Sequence, residues 1–453
     1  LAERYIIVID AACMGWYSAF QQALRGNGLM RTGISKMLAA VLVVLVQCAV
    51  AIGEPNEPNR FLTLKDYTSY AEAHNAGLKS GYQQWVAATE VVVQAKSLPD
   101  PQLTYGYYMQ ESDTHEKQMV GVMQMFPWFG KIDARTEAAA KNADVAKQKY
   151  QAVRLLLLKE VKSGFYEYAY LAKASDIART NIELLSRFEE ITKTKYIAAG
   201  AGHPDVIRAQ VETARMEDVL RGLEQIREPT VSRLKAALNL PTEVNLPWPE
   251  HEEFEPAPLD YELLVNLLRQ KNPELAGLNF EAMAAKSKVE LAEKNFYPDV
   301  GIGLQFEQMR RPGGNTQDSG KDAVLLLFSL NVPLWRDNYK GGQRQAVAEA
   351  TSIEQQKVEA ENNILAKAAQ VYYEYNDSIR KIRLYRDKLL PKAEELLWSS
   401  ETAYRGGTID FLSLIDAQRT LLDYRLSYQR VLADNRQKLA ELEMLAGTEL
   451  DSK

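Results

Sequence analysis

The chain has 453 residues, 46% hydrophobic and 25% charged, with a formal net charge of −6. That composition supports a sizeable core and excludes a disordered chain. The acidic balance gives no support to nucleic-acid binding.

The first element in chain order is a targeting signal. From Met30 the chain reads "MRTGISKMLAAVLVVLVQCAVAIGEP": basic Arg31 and Lys36, an apolar run over 37–46, then Ala49-Val50-Ala51. This three-part layout predicts a secretory signal peptide cleaved after Ala51 or Gly53. Residues 1–29 show no targeting pattern, and a start at Met30 would make them an over-extended gene model. A lipid anchor at Cys48 is the alternative, although Gln47 is a poor residue before a lipidated cysteine. Cys13 and Cys48 are the two cysteines of the sequence, and both precede the cleavage point. No later stretch is long and apolar enough for a membrane-spanning helix.

The rest of the chain is one pattern written twice, which gives the divisions 1–53 (extension and signal peptide), 54–256 (first repeat) and 257–453 (second repeat). In the first copy a helix-like run ends at "LPDP" (98–101). The extended runs "PQLTYGYYMQ" and "KQMVGVMQMFPW" come next, joined by "ESDTHE". A very long helix spans about 132–196, and the break "YIAAGAGHPDVIRAQ" (196–210) leads into a returning helix. The second copy has a helix-like run ending at "YPDV" (297–300), then "VGIGLQFEQM" and "DAVLLLFSLNVPLW", joined by "RRPGGNTQDSG". Its long helix spans about 340–404 and its break is "YRGGTIDFLSLIDAQ" (404–418). "HNAGL" (74–78) matches "KNPEL" (271–275), "FYEY" (165–168) matches "YYEY" (372–375), and the tyrosine-to-glutamine spacing of the two breaks is the same. The period is too long for a solenoid, so the chain is a duplication.

The extended runs alternate. Val300, Ile302, Leu304 and Phe306 point one way, and Gly301, Gly303, Gln305 and Glu307 the other. Alternation with aromatics near the ends is the pattern of membrane β-strands. Four strands cannot close a barrel, since the smallest has about eight. Either the hairpins pack on a soluble domain or several chains pool strands, and the export signal favours pooling. The long helices would each reach about 97 Å. Val371, Tyr375, Ile379, Ile382, Tyr385 and Leu389 step by three or four, a coiled-coil seam that Pro391 should bend.

With these elements in place, "LLPKAEELLWSSETAYRGGTIDFLSLIDAQRTLLDYR" (389–425), "FPWFGK" (126–131) and "NVPLW" (331–335) carry a resemblance to the TolC-like outer-membrane efflux family over about 62–448. The resemblance implies a mainly α fold with β: a long antiparallel coiled-coil α-helical barrel on a transmembrane β-barrel pooled from four strands per chain, two internal repeats. It also implies a homotrimer in outer-membrane lipid that extends into the periplasm and serves a periplasmic adaptor and an inner-membrane pump. The two breaks become hairpin tips that form the gate, with Gly200 and Gly407 as tip glycines. Tyr404 matches the family's latch tyrosine, Asp205 the aspartate that holds it, and Asp416 an acidic gate position; Pro204 directly before Asp205 gives the alternative that this carboxylate sits in the first turn of the returning helix and stabilises its N-terminus. Ser413 stands at the other acidic position, where Asp410 is a displaced substitute, and Ile409 replaces the family's latch arginine.

"QMFPWFGK" resembles the heavy-metal branch of the family. Met109, Met119, Met123 and Met125 could offer soft-metal contacts, but lipid-facing or packing positions are the stronger expectation for them. Enzyme motifs are missing: there is no His-Glu-x-x-His and no phosphate-binding glycine loop, and "GIGLQF" lies inside a strand pattern. His74, His115, His203 and His251 are isolated, so no catalysis, cofactor or metal site is expected. The competing reading is an exported periplasmic coiled-coil adaptor or scaffold with no membrane barrel.

Overall fold

Thr63 opens the first helix with a reciprocal cap. The Asp66 amide donates to Thr63 Oγ1 and the Thr63 amide donates to Asp66 Oδ2, which satisfies two otherwise free donors. This is seen in a computed structural model that describes residues 61–109, 116–250, 258–309 and 321–450. The signal peptide with Cys48, His115, His251 and most of both interstrand loops lie outside the described residues.

The elements in order are α1 (Leu64–His74), α2 (Ala76–Lys96), β1 (Gln102–Tyr107), β2 (Glu116–Phe126), α3 (Lys131–Ile197) and α4 (His203–Leu238). The second repeat supplies α5 (Tyr261–Lys271), α6 (Pro273–Lys294), β3 (Asp299–Met309), β4 (Ala323–Asn331), α7 (Arg336–Leu384), α8 (Leu390–Gly406) and α9 (Phe411–Ala446). The order helix, hairpin, long helix, returning helix agrees with the sequence, with one correction. The run before each hairpin is two helices, broken at Asn75 and at Asn272.

Both breaks have the same physical cause. Asn75 and Asn272 take extended backbone angles, and each side-chain oxygen caps the next helix: Asn75 accepts from the Leu78 amide, Asn272 from those of Glu274 and Leu275. Pro273 reinforces the second break, since a first-turn position needs no backbone donor. Each side-chain nitrogen reaches across to the end of the returning helix. Asn75 Nδ2 donates to the Ala237 carbonyl at 2.8 Å, and Asn272 Nδ2 to that of Leu445 at 2.9 Å. Those returning helices stop on left-handed residues at matching positions, Asn239 (φ 56) and Gly447 (φ 73). A Cβ on Gly447 would lie 2.2 Å from the Lys271 carbonyl oxygen, so only glycine fits there.

The duplication produces two cores, filled by equivalent positions. Ala71, Leu78, Leu157, Val161, Tyr168, Val231 and Leu234 fill the first. Leu268, Leu275, Ile364, Ala368, Tyr375, Leu439 and Leu442 fill the second. Where the second core has Val371, the first has Gly164, and Leu234 Cδ2 lies 2.7 Å from where a Cβ on that glycine would be. A third core lies at the far end and draws on both repeats, with Leu185 and Phe188 of α3 and Ala209 of α4 packed among Leu397, Tyr404, Phe411 and Leu414 of α8 and α9. The seam Val371, Tyr375, Ile379, Ile382 is buried as the sequence suggests.

At Pro391 the helix widens rather than stopping. Tyr385–Leu389 form a π turn in which the Leu390 amide bonds back to the Tyr385 carbonyl. The wider turn takes up the donor that proline lacks and the crowding it causes. At 67 residues and about 1.5 Å each, α3 is about 100 Å long.

The hairpins of the two repeats join into one antiparallel sheet of order β1-β2-β3-β4, with β2 paired to β3. Asn272→Ala should cost about 2 kcal/mol, because it uncaps α6 and strands the Leu445 carbonyl in a buried place. Thermal unfolding of the detergent-purified protein checks this. Asn75→Ala, at the half-buried counterpart, should lower the midpoint less; equal or absent shifts would contradict the clasp.

Candidate functional site

The register of the sheet gathers most of its large apolar side chains on one face. Leu103, Val122, Leu304 and Leu326 stand in one cross-strand row, and Tyr105, Val120, Phe306 and Val324 in the next. These residues are exposed, Leu103 and Val324 at 73% each, so one face of the sheet is an uncovered apolar surface. Strands of about 11 residues at 3.4 Å per residue, tilted as in barrels, span a band about 25 Å tall. The opposite face carries Gln102, Thr104, Gln305, Glu307 and Ser329, together with Met119, Met123 and Met125 and, on β4, Leu325 and Leu327. Of the two placements expected for these methionines, lipid-facing or packing, the strand methionines take the second, lying over Gly106, Gly301 and Gly303. They share the parity of Gly121, not that of Val120 and Val122. Met109, past the end of β1, is exposed.

The junctions between strands and helices are aromatic and pinned. Trp128 stacks on Tyr297 with ring centroids 5.5 Å apart, and Phe129 and Trp335 are exposed beside the strand ends. Amphipathic rings at this level are the usual companions of a membrane–water boundary. Asp299 Oδ1 accepts from the Trp128 amide at 2.8 Å and from Lys131 Nζ at 2.7 Å, so the carboxylate ties "FPWFGK" to the start of β3.

At the other end, the two tips pack on each other. Tyr404 is buried, and its hydroxyl donates to Thr192 Oγ1 at 3.2 Å; Thr192 in turn donates to the Phe188 carbonyl at 2.7 Å. Lys195 Nζ sits 4.4 Å from the centre of the Tyr404 ring and donates to the Tyr404 carbonyl. Burial pushes the Tyr404 phenol up; the Thr192 bond opposes this and the charge of Asp205 adds to it. The bond expected between Asp205 and the phenol is not made: Asp205 pairs with Arg208 at 3.3 Å on its own helix, in the first-turn position that is the other expectation for it. Position explains this, since Asp205 occupies the first turn of α4 while Thr192 faces Tyr404 from α3.

The remaining candidates separate. Asp410 is the N-cap of α9, accepting from the Ser413 amide at 2.9 Å and the Ser413 hydroxyl at 2.6 Å, bonds that hold its carboxyl below the usual range. Asp416 is exposed one turn further along α9. Gly407 is the left-handed cap of α8 (φ 78). In the first tip the left-handed position is Ala199 (φ 55), the counterpart of Gly407 with the same turn bonds, so Gly200 stands one residue past it. Two cross-repeat links escape sequence reasoning: a bidentate ion pair between Arg419 of α9 and Glu212 of α4, and a buried bond from Gln418 Nε2 to Asn181 Oδ1. No motif spacing marks such pairs; they depend on which helix faces meet.

Among the described residues no helix is long and apolar enough to cross a membrane, and no group of three His, Cys, Asp or Glu side chains could hold a metal ion.

A family model described as outer membrane efflux protein matches residues 264–448, the second repeat. The cobalt-zinc-cadmium resistance protein CzcC of Cupriavidus metallidurans is 22% identical over 405 residues, covering 87% of this chain and 92% of its own length. The outer membrane protein VceC of Vibrio cholerae shares the fold with a TM-score of 0.71 at 18% identity, over 86% of this chain and 97% of that one. CusC, solved in connection with transmembrane channel formation, gives 0.72 at 14% identity, over 87% and 95%. The scaffold reading has no use for the apolar sheet face and is set aside. The sheet and the paired helical hairpins agree with these matches: residues 264–448 carry the outer membrane efflux protein pattern, and the whole described chain has the fold of solved outer-membrane channels.

Proposed function

We propose that the chain is the outer-membrane channel of a tripartite efflux or export system, a homotrimer whose barrel is pooled from three four-stranded sheets. The observation that carries this reading is the apolar face of a sheet whose two edge strands are unpaired within the chain. Hydrocarbon tolerates no open edge, so copies must complete the sheet. The long helical hairpins then form the periplasmic conduit, with 54–256 and 257–453 contributing one hairpin each. The tips at 196–210 and 404–418 meet a periplasmic adaptor, which in turn couples to an inner-membrane pump. Metal cations are the cargo class best supported, from the "QMFPWFGK" stretch and the long match to a metal-resistance relative.

In this reading the gate is held by Tyr404 through Thr192 and Lys195, and by Arg419 through Glu212. Each neutral hydrogen bond contributes about 1 kcal/mol and the ion pair, with Arg419 partly open to solvent, about the same, weak enough for a docked adaptor to undo. Asp416 lines the narrow opening, where three-fold symmetry makes a ring of like charges that draws cations.

Two measurements in planar bilayers test this. Tyr404→Phe and Lys195→Met should each raise single-channel conductance several-fold, and Asp205→Ala, which removes no bond to Tyr404, should leave it unchanged. The reverse pattern would contradict the proposed latch. Asp416→Ala should weaken block by multivalent cations about tenfold, and unchanged block would remove Asp416 from the opening.

A further inference from the structure

The inner face of β2 presents Met125, Met123 and Met119 in order from the helix junction toward the opposite end of the strand. Opposite the first two, β3 supplies no side chain: Met125 faces Gly301 and Met123 faces Gly303. A Cβ on Gly301 would lie 2.7 Å from Met125 Sδ and 3.1 Å from Met123 Sδ, so the two sulfurs converge over one glycine. A Cβ on Gly303 would also lie 3.1 Å from Met123 Sδ. The bare floor lets both thioethers lie flat against the wall with their sulfurs together.

Met119 repeats the arrangement over Gly106, whose Cβ would lie 3.4 Å from its sulfur. Its Sδ accepts from Gln305 Nε2 at 3.4 Å, and the same amide donates to Glu307 Oε1 at 2.7 Å. The sulfur lone pairs therefore face a polar wall, with a carboxylate one step away. At about 3.4 Å per residue, Met119 lies about 14 Å beyond Met123.

We propose that this face binds soft monovalent cations, Cu(I) and Ag(I), between the Met123 and Met125 thioethers, with Met119 the next ligand along the strand. The location of this face in a lumen rests on the channel reading above; the donor pair itself does not. Thioethers are neutral at every physiological pH and select soft ions, whereas divalent zinc or cobalt favours imidazole and carboxylate. Two sulfurs hold such an ion without trapping it, and the single sulfur of Met119 offers it a weaker next site to move to.

The rival explanation is packing alone, methionine filling space above glycine. Leucine nearly conserves the volume and removes the sulfur. The test uses the full chain in detergent with Cys13 and Cys48 replaced by serine, so that no thiol competes, in chloride-free buffer with silver nitrate as the probe. Titration calorimetry and X-ray absorption should show Ag(I) bound with a two-sulfur shell. The Met123→Leu/Met125→Leu variant should bind at least tenfold more weakly, and cadmium nitrate should not occupy the pair. In bilayers, Ag(I) should reduce current through the parent protein but not through the variant. Equal Ag(I) affinity of parent and variant, or a shell without sulfur, would overturn the site while pores still form. A parent that binds Ag(I) through the pair but forms no pores would overturn the channel reading and the lumenal placement.

Discussion

Everything in this molecule hangs on two rows of backbone groups that the chain cannot satisfy by itself. β1 and β4 each pair on one side only, and the face they belong to is apolar and uncovered. In water, an edge can be left to solvent. In hydrocarbon each unpaired amide or carbonyl costs several kcal/mol, and a row of them is prohibitive. The topology already contains the remedy. Because the four strands alternate in direction, β4 of one copy runs antiparallel to β1 of the next, so copies can join head to tail without changing the pattern. A head-to-tail interface closes into a ring when the rotation per copy divides a full turn. In the proposed channel the apolar face, the even strand count and the open edges all serve the same end, a barrel shared among chains.

The duplication explains how one chain supplies both the sheet and the walls beneath it. Each repeat builds its own core, and an asparagine clasps the end of its returning helix to the break between its first two helices. The copies have stayed alike where they do the same job. They differ at the tips, where Asp410 caps one returning helix while Gly202 begins the other, and where Gly407 and Ala199 occupy equivalent left-handed positions. The buried tyrosine is also confined to the second tip: Tyr404 sits inside, whereas Tyr196 is exposed. In the proposed channel this inequality gives the gate a distinct part to release.

Much of this is legible in the sequence. The long helices, the alternation in β3 and the duplication all come from periodicity, and their observed bounds fall within a few residues of those expected. The breaks at Asn75 and Asn272 escape it because an asparagine inside a helical pattern reads as a weak residue until its partner carbonyl, more than 150 positions away, is known. The π turn at Tyr385–Leu389 reads only as a bend at Pro391, since sequence marks the missing donor but not how the backbone makes it good. The sequence reading leaves the methionines between lipid and packing because Met and Val are both apolar; their parity against Val120 and Val122 holds the answer, and the glycines opposite them appear only once register is known. At the tip, Tyr404 is marked by its motif but its partners Thr192 and Lys195 are not, since contact between α3 and α8 is a matter of packing rather than spacing.

The central claim is that this sheet is one part of a closed barrel made by three chains. Native mass measurement of the protein extracted from outer membranes in mild detergent tests it most directly, against a full-length chain mass of 51.1 kDa that signal cleavage would reduce. The account predicts a single species at three times the mass of the processed chain; a stable monomer or dimer would contradict it.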